Sequence, residues 1–118
     1  MEKVSKILSN LAQFNGSDRF YKHQSGTIYT EGVQYLAKSA DAYWLLDLVA
    51  SHCKYNEDVK GHYFQVYDLF VKDNSAKVVI TDGNHNILGK QEIEYTDFPL
   101  NKFVLWCVHN TIMLPSEY

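Results

Sequence analysis

Val4, Ile7, Leu8 and Leu11 recur at helical spacing, with Lys3, Lys6, Ser9 and Asn10 between them. This pattern predicts an amphipathic helix over 3–14. Asn15-Gly16 is a suitable stop, since both residue types tolerate the left-handed conformation that ends helices. Ser17 to Gly26 reads as a turn-rich connection, pinned to the core by Phe20 and Tyr21. Thr30 suits an N-cap and Glu31 complements the helix dipole, so Val33, Leu36, Ala37 and Ala40 become the apolar stripe of a second helix over 30–39. Ser39-Ala40-Asp41 offers capping chemistry for a third, over 41–54. In that segment Leu45, Leu48, Val49 and His52 share one face, and Tyr43, Asp47 and Ser51 another. Trp44 and Leu46 widen the apolar coverage to nearly all round, and a helix apolar on most sides is buried on most sides. The third helix is therefore expected as the spine of the domain, with Asp47 a buried or half-buried carboxylate that needs a partner.

Near Gly61 the period changes from helical to two. Strands are expected over 63–72, 76–81, 84–95 with a bend at Gly89, 103–108 and 111–114. Asp73-Asn74-Ser75 and His109-Asn110 supply turns, and Asp82-Gly83 is a strong signal for a type I′ hairpin. Pro99 removes a ladder donor and makes 96–101 a loop or crossover. The predicted fold class is α+β. N-terminal helices, in a half of about 1–60, pack on a C-terminal antiparallel sheet of about five strands, in a half of about 61–118. Its 118 residues suit one domain, because a second would be too small to bury a core.

The strands carry one asymmetry. Phe103, Leu105 and Cys107 alternate with Val104, Trp106 and Val108, yet both sets are apolar. Tyr67, Leu69 and Val71 oppose Phe64, Val66 and Phe70 in the same two-sided way. A sheet with helices on one face should show a polar second face, and that appears clearly only at Lys90, Glu92 and Glu94. Either the N-terminal helix or a second copy of the chain is expected to cover the far side. Val104, Trp106 and Val108 are then the interface candidates for a homodimer; no other protein partner is indicated.

Composition narrows the function classes. The formal charge is −3 and the lysines are scattered from Lys3 to Lys102 without a dense run. Phosphate neutralisation supplies most nucleic-acid affinity, so a broad DNA- or RNA-binding face is not expected. No run of about 18 apolar residues occurs, so no membrane span is expected. Cys53 and Cys107 are too few for the disulfide framework of a small secreted domain and read as two buried free thiols in a reducing cytoplasm.

Three patterns hold candidate chemistry. His52, Cys53, Cys107 and His109 are metal-ligand types, but adjacent helical residues diverge by about 100° and no CxxC or HxxxH pair occurs, so core thiols and a turn histidine are expected instead of a metal. Tyr43, Asp47, His52 and Asp97 are the pocket candidates, with a structural role for Asp47 set against a pocket carboxylate of raised pKa. DGNHN at 82–86 echoes a calcium loop, but Gly83 stands second and Ile93 occupies the twelfth position, so it reads as a turn. No phosphate-cradling glycine loop, GxSxG or HExxH occurs, and no cofactor is expected.

The strings YTEGVQYLAKSADAYWLLD at 29–47, DGN at 82–84, TDFPL at 96–100 and LPSEY at 114–118 carry a resemblance that extends from FNGSDRF at 14–20 to residue 118. The chain resembles an uncharacterised bacterial family, a domain of unknown function. The resemblance implies a small cytoplasmic protein, with some members carried on mobile DNA, and transfers no activity. The aromatic surplus and two-sided sheet favour a non-catalytic binding or assembly module over an enzyme. The alternative is a small enzyme or ligand-binding domain with a pocket between helix 42–53 and the sheet, using Asp47 or His52.

Overall fold

A computed structural model describes residues 2–16 and 19–118. The elements in chain order are α1 (Glu2–Leu11), β1 (Phe20–Lys22), β2 (Ile28–Thr30), α2 (Glu31–Ser39), α3 (Tyr43–Tyr55), β3 (Phe64–Lys72), β4 (Ser75–Thr81), β5 (Ile87–Ile93), β6 (Lys102–Val108), β7 (Thr111–Met113) and a 3₁₀ turn, Pro115–Glu117. The three expected helices are present, with ends set by local chemistry. α1 stops at Leu11, ahead of Asn15-Gly16, and its exit tightens through Gln13 N–H to Asn10 C=O (3.1 Å) and Phe14 N–H to Leu11 C=O (3.2 Å). α2 begins on the expected cap, where the Val33 N–H donates to Thr30 Oγ1 at 3.3 Å. Asp41 does not cap α3: at φ 52° it is the left-handed residue that closes α2. The Ala42 N–H reaches back to Ala37 C=O at 2.8 Å, a Schellman-type closure.

The sheet departs from the expected antiparallel five strands. It is mixed and seven-stranded, in the order β1-β2-β7-β6-β3-β4-β5, with β2 and β7 parallel and the other pairs antiparallel. The additional pair, β1 and β2, lies between α1 and α2, so helices and strands are not segregated into halves. Each has three residues, too few to display a period, and they fall in the segment read as a turn-rich connection. Ser17 and Asp18 of that segment lie outside the described residues. Two tight turns have both central residues left-handed, as type I′ geometry requires: Asp73-Asn74 (φ 52° and 64°) and His109-Asn110 (φ 49° and 66°). Asp82-Gly83 forms no such turn. Thr81 and Ile87 are joined by a longer loop, in which the Asp82 carboxylate accepts from Asn84 N (2.8 Å) and Asn86 Nδ2 (2.8 Å).

Strand register sorts the side chains into two faces. Gln65, Tyr67 and Leu69 stand opposite Cys107, Leu105 and Phe103 on β6, while Tyr67 and Leu69 stand opposite Ile80 and Val78 on β4. This face packs under all three helices in one core with Ile7, Leu11, Val33, Leu36, Leu45, Leu46 and Val49. α1 is spent there: Ile7 and Leu11 enter the core, Phe14 packs on Tyr35 (5.7 Å between ring centroids), and Asn10 Nδ2 donates to Tyr35 Oη at 2.7 Å. The N-terminal helix therefore does not cover the opposite face.

α3 is less buried than its composition implied. Leu45, Leu46, Leu48, Val49 and Ala50 are buried, whereas Tyr43, Asp47 and Ser51 form an exposed stripe at i, i+4 and i+8. The Asp47 side chain is 66% exposed, which corrects the expectation of a buried carboxylate. Asp47→Ala should accordingly cost under about 1 kcal/mol, as exposed ion pairs do. Urea melts check this, and a loss of several kcal/mol would contradict it.

The TEG and LPSEY strings meet in space. Glu117 Oε1 accepts from Thr30 Oγ1 (2.6 Å) and Leu114 N–H (3.0 Å), and its Oε2 accepts from Gly32 N–H (3.2 Å). An anionic carboxylate thereby satisfies a free N–H in the first turn of α2, where the helix dipole favours it. Gly32 suits this approach: a Cβ there would stand 2.6 Å from Leu114 Cδ1 and 2.7 Å from Glu117 Oε1, so those side-chain ends would have to shift.

Candidate functional sites

The helix-free face is built by the alternate residues of four long strands. Phe64, Val66, Asp68 and Phe70 of β3 stand opposite Val108, Trp106, Val104 and Lys102 of β6, and Val66, Asp68 and Phe70 also face Thr81, Val79 and Lys77 of β4. Phe64, Trp106 and Tyr118 form an aromatic cluster with centroids 4.9, 5.5 and 5.8 Å apart. Phe70 is 42% and Tyr118 67% exposed. Val104 and Trp106 are half-buried, while Val108 is buried within its own chain, so Val104 and Trp106 are the free part of the expected interface row. Lys102 Nζ lies 5.4 Å over the Phe70 ring. Asp68, half-buried between Val104 and Val79, makes no ion pair among the described residues.

A second site lies where the end of α3 meets the sheet. Leu46, Val49 and Cys53 follow one another at helical spacing, which turns Cys53 toward β3 and β6. Cys107 comes from the core set of β6, and the two sulfurs stand 2.9 Å apart. Gln65, 3% exposed, organises the surroundings. Its Nε2 donates to Val59 C=O and His62 C=O, both at 3.0 Å, which fixes the amide orientation. Its Oε1 accepts from Tyr67 Oη (2.7 Å) and from the Cys53 thiol (3.1 Å). The hydrogen bond from Cys107 lowers the Cys53 thiol below the ordinary range despite burial, and Tyr67 Oη, 3.4 Å away, acts in the same direction. That shared bond, then burial, holds the Cys107 proton far above the ordinary range. Burial first, then the Cys53 charge, raises the Tyr67 phenol likewise. Both sulfurs line a cleft of about 310 Å³ with Lys60, His62, Gln65 and His109. Cys53 is half-buried and Cys107 fully buried, a refinement of two buried thiols.

The four pocket candidates point to different neighbours. Tyr43 Oη accepts from Gln34 Nε2 at 3.1 Å on the exposed side of α3. Asp47 Oδ1 meets His23 Nε2 at 2.7 Å and lines a shallow depression of about 360 Å³ with Ser25, Ser51 and Tyr55. His52 turns to β5: Asn56 Nδ2 donates to its Nδ1 (2.9 Å), so its Nε2–H donates to Gln91 Oε1 (2.7 Å). Asp97 is exposed in the crossover before Phe98, whose ring packs edge-on against Trp44 at 6.3 Å. Of the metal-ligand types only the two thiols come together. Among the described residues no group of three or more His, Cys, Asp or Glu side chains is placed to hold a metal ion. Nor is any described helix long and apolar enough to cross a membrane.

The molecule is thus an α+β domain with one sheet face under helices and the other open. Residues 5–118 match the model of DUF6876, a family of unknown function, and the chain belongs to that family. No curated protein and no solved structure matches it.

Proposed function

We propose that this chain is a non-catalytic assembly module that pairs with a second copy of itself through the helix-free face of its sheet. The observation that carries the reading is the row Phe64, Val66, Val104 and Trp106, extended by Tyr118, on a face where no described helix packs. Four strands about 4.8 Å apart, each of about seven residues at about 3.3 Å rise, give a footprint of about 19 by 23 Å, or roughly 440 Å² in projection. β7 and Tyr118 extend it, and side-chain relief raises the accessible area toward the about 800 Å² per partner of a stable interface. Charge fits a self-complementary contact as well. Asp68 and Glu92 lie on the same face as Lys77, Lys90 and Lys102, so this face carries both signs of charge, as a self-complementary contact needs. The same mixture, with lysines scattered over the sequence, gives no broad basic face for nucleic acid.

Trp106 fluorescence tests this reading once Trp44, the other tryptophan, is replaced by phenylalanine. Dilution from micromolar to nanomolar concentration should shift the emission to the red as the indole becomes wet. Emission already that of an exposed indole, and unchanged on dilution, would contradict the pairing.

A further inference from the structure

We propose that Cys53 and Cys107 are a reactive dithiol that small, non-protein disulfides oxidise to an intramolecular disulfide. The two sulfurs, from elements 54 residues apart, are brought to 2.9 Å. A disulfide needs a separation of about 2.05 Å, an approach of about 0.9 Å that side-chain torsions can supply. Cys53 is half-buried at a cleft of about 310 Å³ at the end of α3, while Cys107, buried behind it, is reached through Cys53. That volume is at the lower limit of small-molecule sites, which fits a small disulfide.

The division of labour follows from position. Cys53 is the more accessible residue, and its sulfur lies 2.9 Å from Cys107 Sγ, whose S–H can turn toward a Cys53 thiolate. The Cys53 thiolate attacks one sulfur of the small disulfide. A mixed disulfide forms on Cys53, the small S–S bond breaks, and one thiolate leaves and takes a proton from solvent. Capping removes the negative charge beside Cys107, and with it the interaction that held the Cys107 proton so tightly. Cys107 then attacks the Cys53 sulfur, forming the Cys53–Cys107 bond; the second small thiolate leaves and takes up the proton that Cys107 gives up. The protein dithiol gives up two electrons and the small disulfide becomes two thiols. In a reducing compartment the dithiol is the resting form.

The test uses the reduced, folded protein freed of reductant and then exposed to excess glutathione disulfide. Both thiols should be lost, with a mass lower by two hydrogens, no retained glutathione and no cross-linked dimer. Cys107→Ser should accumulate a stable glutathione adduct on Cys53, and Cys53→Ser should react many-fold more slowly. Two titratable thiols remaining on the unmodified protein would overturn the proposal, whatever the variants do. So would a stable two-glutathione adduct, intermolecular disulfides, or equal reactivity of the two variants.

Discussion

Glu117→Ala should lower the stability of the folded chain by about 3 kcal/mol, since hydrogen bonds to a charged acceptor contribute about 1.5–3 kcal/mol each. One carboxylate accepts from Thr30, Gly32 and Leu114, and its loss leaves the Gly32 N–H at the start of α2 without that acceptor. Thr30 would still cap Val33, so α2 should persist while its junction with the turn at 115–117 loosens. Glu117→Gln keeps one acceptor oxygen and should fall between the two. Gly32→Ala probes the same junction from the other side. Its Cβ would press on Leu114 Cδ1 at 2.6 Å, and overpacking of this kind costs about 1–3 kcal/mol. Urea midpoints at constant m-value measure both effects. Wild-type stability in Glu117→Ala would mean that the clamp contributes nothing in solution.

The clamp also explains why two separated strings in the sequence stand out. TEG and LPSEY are 82 or more residues apart along the chain yet form one contact. The local parts of the fold were legible because local chemistry decides them: Thr30 caps α2, the stripe Val33-Leu36-Ala37 buries it, and the alternation in β3 and β6 sets two faces. Four features were not legible. β1 and β2 are three residues each, and the parallel pairing of β2 with β7 depends on neighbours about 80 residues away. The apolar density of α3 points to burial at Asp47, whereas its i, i+4, i+8 polar stripe is the solvent face. The Cys53–Cys107 contact needs the packing of α3 across β3 and β6, although the helical run Leu46-Val49-Cys53 and the core position of Cys107 were its available signals. Asp82-Gly83 carries the stronger type I′ signal in the sequence, whereas Asp73-Asn74 and His109-Asn110 adopt that geometry.

Trp106→Glu should abolish self-association. Trp106 stands 4.9 Å from Phe64 and 5.5 Å from Tyr118, at the centre of the aromatic cluster on the open face. A central aromatic anchor commonly contributes 2 kcal/mol or more to an interface, and here an unpaired carboxylate would also have to be buried against a second copy. The dissociation constant should rise by at least about thirtyfold, given that 1.4 kcal/mol is a factor of ten. The helices lie on the other face, so the far-ultraviolet helical signal should persist. Val104→Lys, one register position along and outside the aromatic cluster, should weaken pairing without disturbing those rings.

The central claim is that the open sheet face closes on a second copy, and the solution mass of the unmodified protein tests it most directly. Light scattering at micromolar concentration should give twice the 13.7 kDa of the chain, falling to 13.7 kDa for Trp106→Glu. A mass of 13.7 kDa for the unmodified protein across that range would contradict the account.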